Sequence, residues 1–113
     1  MAQQGTVDLE GESGDTYTFN VWPIKTSFAE VACVYIYSRK INGLWDPIYV
    51  GQTIHLATRL DEHANGEDAS DICIQLSGAT HILVHRVSAK EDRLAEETDL
   101  RNKYPWSCNM QDD

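Results

Sequence analysis

A chain of 113 residues with 42% apolar content, three Trp and five Tyr is sized for one folded domain with a modest core, and its composition is not that of a disordered protein. Its apolar runs are only a few residues long and its N-terminus lacks the basic and apolar stretches of a secretory signal, which leaves no membrane span and predicts a cytoplasmic protein. The net charge of −9 runs against the basic surface usual in nucleic-acid binders.

The acids are unevenly placed. Asp8, Glu10, Glu12 and Asp15 crowd the start, and Asp112 and Asp113 end the chain. Residues 1–14 read as a flexible acidic segment, and residues 15–110 as one domain with its core at 31–109. Residues 15–22 alternate Tyr17, Phe19 and Val21 against Thr16, Thr18 and Asn20, the period-2 pattern of a strand with one buried face. Pro23 stops it, and residues 28–31 form a short connector, a helical turn at most. Residues 32–37, A-C-V-Y-I-Y, are the most β-prone run and predict a central strand. Asn42-Gly43 is a strong turn signal, and residues 48–50 return as a strand, giving an antiparallel hairpin with a long loop.

The stretch 48–63 organises the rest. Its strand ends at Gly51, Thr53 offers a helix N-cap, and residues 54–65 follow helical spacing. Leu56, Leu60 and Ala64 make the apolar stripe, with Arg59 and His63 one turn apart at its edge. Gly66 is the stop signal. A strand–glycine–helix turn presents free N–H groups that suit an anion. Between Cys33 and His63 the cations Arg39, Lys40 and Arg59 balance Asp46, Asp61 and Glu62, so this zone is neutral within an acidic chain.

A second helix is predicted over residues 69–76, ending by Gly78, and a third core strand over 81–87. Ser88 and Glu91 have the spacing of a capping box, which opens a helix reaching about Lys103. Tyr104-Pro105 ends it, and residues 105–109 form a tail that packs back. The order β-β-β-α-α-β-α describes an α+β domain with a mostly antiparallel sheet. Cys33, Cys73 and Cys108 are odd in number with no C-x-x-C spacing, so reduced, partly buried thiols are expected. His81 and His85 have a metal-like separation only on a helix; on a strand they stand more than about 13 Å apart, which argues against zinc.

Several residues invite a chemical reading. Tyr35 and Tyr49 lie on the two hairpin strands, where their hydroxyls can meet on one sheet face, although strand tyrosines are more often plain sheet aromatics. Arg59 and His63 suit a phosphate, or else a solvated face paired with Asp61 or Glu62. Glu97, beside Glu96 on the last helix, is a candidate metal carboxylate, or simply one more exposed acid. Taken singly, each residue favours the plainer explanation. The ordered set does not.

Together these residues resemble the GIY-YIG nuclease superfamily. Cys33-Val34-Tyr35 stands in the first motif and Tyr49-Val50-Gly51 in the second, followed by Gln52-Thr53. Arg59 and His63 match the helix that comes next, and the run from Leu94 to Asn109 looks like the closing element. The family places a Leu three residues after its Glu, which selects Glu97, with Leu100, over Glu96. Pro105 and Asn109 then fall where the family has them. The likeness covers roughly residues 31–109. Cys33 replaces the glycine of the first motif, the hairpin loop reads as longer than usual, and a strand is added at the N-terminus.

The resemblance implies a small, mostly antiparallel three-stranded sheet flanked by helices, with that added N-terminal strand. It implies a metal-dependent endonuclease that hydrolyses phosphodiester bonds, in DNA rather than RNA, with one Mg²⁺ (or Mn²⁺) held by Glu97. Tyr35 would be the base or base relay for the attacking water, and Tyr49 would orient water or phosphate. Arg59 would neutralise phosphoryl charge, His63 would bond the phosphate or the Tyr35 hydroxyl, and Asn109 would pin the tail. One alternative is a catalytically weak or inactive GIY-YIG scaffold that binds nucleic acid or protein within a larger complex; another is a small subunit or toxin-like nuclease whose partner supplies the basic surface. Trp45 in the hairpin could stack on a base.

Overall fold

A computed structural model describes residues 2–66, 69–105 and 108. Among them the chain runs β1 (Thr6–Glu10), β2 (Thr16–Pro23), β3 (Cys33–Ile41), β4 (Leu44–Thr53), α1 (Leu56–Asn65), α2 (Ala69–Leu76), β5 (His81–Arg86) and α3 (Lys90–Lys103). The strands form one sheet in the order β1-β2-β5-β3-β4, with every pairing antiparallel. This is the expected α+β architecture, with a larger sheet. The extra strand, β1, comes from the acidic segment read as flexible. Its five residues pair with β2 along their length, and the turn that follows is tied to α3. There Asp99 accepts the Ser13 N–H at 2.8 Å, the Ser13 hydroxyl at 2.7 Å and the Tyr17 hydroxyl at 2.8 Å.

The central position of β3 explains its composition. Cys33, Tyr35 and Tyr37 point to the side covered by α1 and α2, with Leu56, Ile74, Ile82 and Val84. Val34 and Ile36 point to the side covered by α3, with Phe19, Val21, Leu83 and Leu100. A strand buried on both faces needs apolar residues at every position rather than every second one. Each large side chain buried this way contributes roughly 1.5–3 kcal/mol.

The hairpin is tighter than its sequence suggests. β3 and β4 continue to Ile41 and Leu44, so the connection is Asn42-Gly43 alone. Both residues have positive φ, 52° and 79°, as a two-residue turn of the primed type requires. The expected long loop is therefore strand on both sides. Its polar residues pair across the strands, with Arg39 Nε donating to Asp46 at 2.9 Å. Trp45 lies on β4, its ring 5.2 Å from the Lys40 ammonium and 5.0 Å from the His81 ring. Tyr37 stands opposite Tyr49 but Ser38 stands opposite Pro47, so Ile48 is the extra residue of a bulge. Pro47 is tolerated because β4 is an edge strand.

Both predicted helix caps differ from what forms. α1 starts at Leu56 after His55, with no side-chain cap; Thr53 Oγ1 instead accepts the His55 N–H at 3.0 Å. The turn read as an anion site holds an anion of the chain's own. Glu30 accepts the Thr58 N–H at 2.9 Å and also the Thr58 hydroxyl. Gly66 ends α1 in the left-handed conformation, as expected, at φ 69°. α3 is capped at Ala89 rather than Ser88, again without a side-chain bond, and the Ser88 carbonyl accepts from Arg93 Nη1 at 2.7 Å.

The cysteines depart from expectation most. Cys73 on α2 and Cys108 form a disulfide, with Cα atoms 5.7 Å apart and the two residues 35 positions apart in sequence. The bond joins Cys108 to α2, a contact that no local spacing announces. Cys33 alone is a free, buried thiol among the described residues. His81 and His85 go to separate partners, Gln4 and Glu96. None of the helices among the described residues is long and apolar enough to cross a membrane.

Candidate active site

The site grows from the β3–β4 pairing. Tyr35 and Gly51 are register partners, and the Tyr35 phenol lies across the glycine. A Cβ on Gly51 would stand 2.5 Å from Tyr35 Oη and 2.6 Å from its Cζ. The glycine of the second motif is thus the space that the tyrosine of the first motif occupies.

From there α1 contributes two side chains. By its spacing His63 falls at the edge of the α1 stripe, yet it is 1% exposed, while Ala64 of the stripe is exposed. The imidazole sits among three phenol rings, with centroids 4.9 Å from Tyr49, 5.5 Å from Tyr37 and 5.8 Å from Tyr35. Tyr35 Oη lies 2.7 Å from His63 Nε2, and His63 Nδ1 lies 2.6 Å from Asp71 Oδ1 on α2. Tyr35 and Asp71 are 0% and 2% exposed, so the whole row is closed to water.

Arg59, one turn before His63, interacts with the hydroxyls of both Tyr35 and Tyr49. Burial opposes its charge, but Tyr35, Tyr49 and Glu62 hold the guanidinium above its usual value. Its contact with Glu62 is long, 3.4 Å, and its side chain remains 31% exposed. Burial foremost, then the neighbouring Tyr49, pushes the Tyr35 phenol well above its ordinary value, with Arg59 acting in the opposite direction. Burial and then Asp71 likewise raise Tyr37.

The two glutamates of α3 separate cleanly. Glu96 faces His85 Nδ1, 2.9 Å from each of its oxygens, and burial raises its pKa while His85 lowers it. Glu97 pairs with Arg101 at 3.6 Å, one turn on. Arg101 in turn donates from Nε to the Val50 carbonyl at 3.0 Å and lies 5.6 Å from the Tyr49 ring. Glu97 therefore belongs to the turn of α3 that Arg101 fastens beside Tyr49.

The structure thus joins Tyr35, His63 and Arg59 directly, sets Tyr49 beside them, and links Glu97 to Tyr49 through Arg101. Asn109 lies outside the described residues. Asp71 is the member that sequence reasoning missed: it is eight residues from its partner, across the Gly66 turn, in a helix with no motif of its own. Among the described residues no three His, Cys, Asp or Glu side chains gather as a metal group. A hard divalent ion that keeps most of its waters and takes substrate phosphate needs only one or two carboxylates. Glu97, with its side chain 18% exposed, fits that donor set.

Among solved structures the chain is similar to the GIY-YIG N-terminal endonuclease domain of UvrC from Thermotoga maritima, in three point-mutant forms bound to the catalytic divalent cation. For one form the identity is 25%, covering 68% of this chain and 80% of that one, with a TM-score of 0.57. For the others it is 27% and 26%, covering 72% and 84%, with a TM-score of 0.58. No family model and no curated protein matches the chain.

Proposed function

Because this chain is a GIY-YIG domain by its motifs and by its fold, we propose that it is a metal-dependent endonuclease cleaving phosphodiester bonds, in DNA rather than RNA. The observation that best supports this is the convergence of Tyr35 from the first motif with Arg59 and His63 from α1, beside Tyr49 of the second motif. When bound, Mg²⁺ or Mn²⁺ supplies Lewis acidity to the phosphate oxygens and the leaving oxygen. Glu97 would hold it.

The rest falls to the chain's own side chains. Arg59 neutralises charge developing on the phosphoryl oxygens, with a planar fork that Lys cannot copy. Tyr49 orients the phosphate or the attacking water. Tyr35 receives the water's proton, with His63 bonded to its hydroxyl. Tyr35 has no exposure in this conformation, and Arg59 lies against it. A phosphate that draws Arg59 outward opens the path to the phenol. Asn109 would take the tail-pinning part that the resemblance gives it. The protein works on nucleic acid.

A second reading is a GIY-YIG scaffold that binds nucleic acid or protein without turnover, within a complex whose partner supplies the basic surface. Two observations favour it: the net charge of −9 and the closure of Tyr35 from solvent. Incubation of the purified chain with plasmid DNA and Mg²⁺ or Mn²⁺, with EDTA as control, separates the two. The nuclease reading expects metal-dependent cleavage that Glu97→Ala and Arg59→Ala each abolish without loss of fold. Cleavage by either variant at the wild-type rate would reject these roles. No cleavage by the wild-type chain would leave the binding module.

A further inference from the structure

We propose that Asp71 is a positioning residue of this site: its carboxylate fixes His63 in the Nδ1–H tautomer, so that Nε2 accepts the Tyr35 proton as Tyr35 takes one from the attacking water. The proposal rests on the nuclease reading and adds to it a residue that belongs to none of the motifs.

The geometry gives the row a direction. An ionised carboxylate accepts hydrogen bonds and donates none. At 2.6 Å from Asp71 Oδ1, His63 Nδ1 must therefore carry the hydrogen. With the ring neutral, Nε2 is the bare lone pair, and at 2.7 Å the Tyr35 hydroxyl donates to it. Asp71 lies in the first turn of α2, where the helix macrodipole favours negative charge. All three side chains are closed to water, so no solvent molecule competes for these bonds.

The row answers a difficulty in the tyrosine mechanism. Burial holds the Tyr35 proton firmly, so a phenolate formed by dissociation is out of reach. With His63 behind it, Tyr35 need not ionise first. The O–H bond of the attacking water breaks and its proton goes to Tyr35 Oη, while the phenolic proton goes to His63 Nε2. The hydroxide forms a new bond to phosphorus. The bond from phosphorus to the leaving oxygen breaks with its electron pair on that oxygen, which takes a proton from solvent. The imidazolium stands against the Asp71 carboxylate until it returns its proton to Tyr35 Oη, which passes its own to the water that replaces the product. Neutral Tyr35 is present before and after.

The test uses the full chain. ¹⁵N NMR of the wild-type protein is expected to show His63 protonated at Nδ1 and unprotonated at Nε2. In Asp71→Asn that single tautomer should be lost, and kcat should fall about 100- to 10,000-fold with KM for DNA little changed, by analogy with the loss of the carboxylate in a Ser-His-Asp relay. A wild-type His63 carrying its proton on Nε2 overturns the proposal even if the variant does not fold. Asp71→Asn cleaving at the wild-type kcat overturns it as well. Absence of cleavage by the wild-type chain overturns the nuclease reading instead; the relay then falls on its own if the His63 tautomer in Asp71→Asn is unchanged.

Discussion

Tyr35 and Gly51 face each other across the β3–β4 pairing, and the phenol of one fills the place where a side chain on the other would begin. This contact joins the two halves of the site more closely than their separate motifs suggest. Gly51→Ala should displace the phenol and break its 2.7 Å contact with His63. The expected loss is about 1–3 kcal/mol of stability, as for other overpacked cores, together with loss of cleavage. Thermal unfolding and a plasmid assay on the same preparation check both.

Arg59 tests charge against shape. Arg59→Lys keeps the cation but not the fork that can meet two phosphate oxygens. Because Arg59 also bonds the Tyr35 and Tyr49 hydroxyls, stability should fall by about 1 kcal/mol. The cleavage rate should fall at least about tenfold, consistent with loss of a hydrogen bond to a charged group. A Lys variant cutting at the wild-type rate would show that charge alone suffices.

The Cys73–Cys108 bridge closes a long loop, 35 positions in sequence. The loop-entropy relation puts its contribution at roughly 4 kcal/mol. Cys108→Ser, or reduction with dithiothreitol, should lower Tm accordingly in a calorimetric scan. An unchanged Tm after confirmed reduction would mean that the tail contributes nothing to the folded state.

Acid should release the N-terminal turn before the core. Hydrogen bonds from Ser13, then from Tyr17, hold the Asp99 carboxyl below its usual value. A depressed folded value makes this contribution complete above the ordinary carboxylate value, near about pH 4. The contribution is lost as pH falls through the lower folded value. Amide exchange at residues 11–15 should therefore rise in that window, and Asp99→Asn should show the rise already at neutral pH.

The face of β3 that carries Tyr35, and the motifs on β4 and α1, were legible because alternation and helical spacing are local signals. Asp71 was not, because its meaning lies in His63 across the Gly66 turn, and a mostly apolar α2 gives no hint of a buried carboxylate. The disulfide was hidden for the same reason. The outer hairpin looks like loop in sequence because Arg39, Lys40 and Asp46 interrupt the alternation, while Ile41 and Leu44 are exposed; the polar residues there pair across the strands instead of facing a core. The early acidic segment lacked the apolar content of a strand, since β1 buries only Leu9 fully.

Glu30 has a consequence for how this protein meets a polyanion. By occupying the start of α1, it removes the backbone donors that would otherwise greet a phosphate, and the chain's excess of negative charge adds few cations in exchange. Few counterions should then be displaced on binding, and each phosphate contact contributes a slope of only about −0.9 in log K against log salt on duplex DNA. Affinity measured across a salt series should be nearly flat.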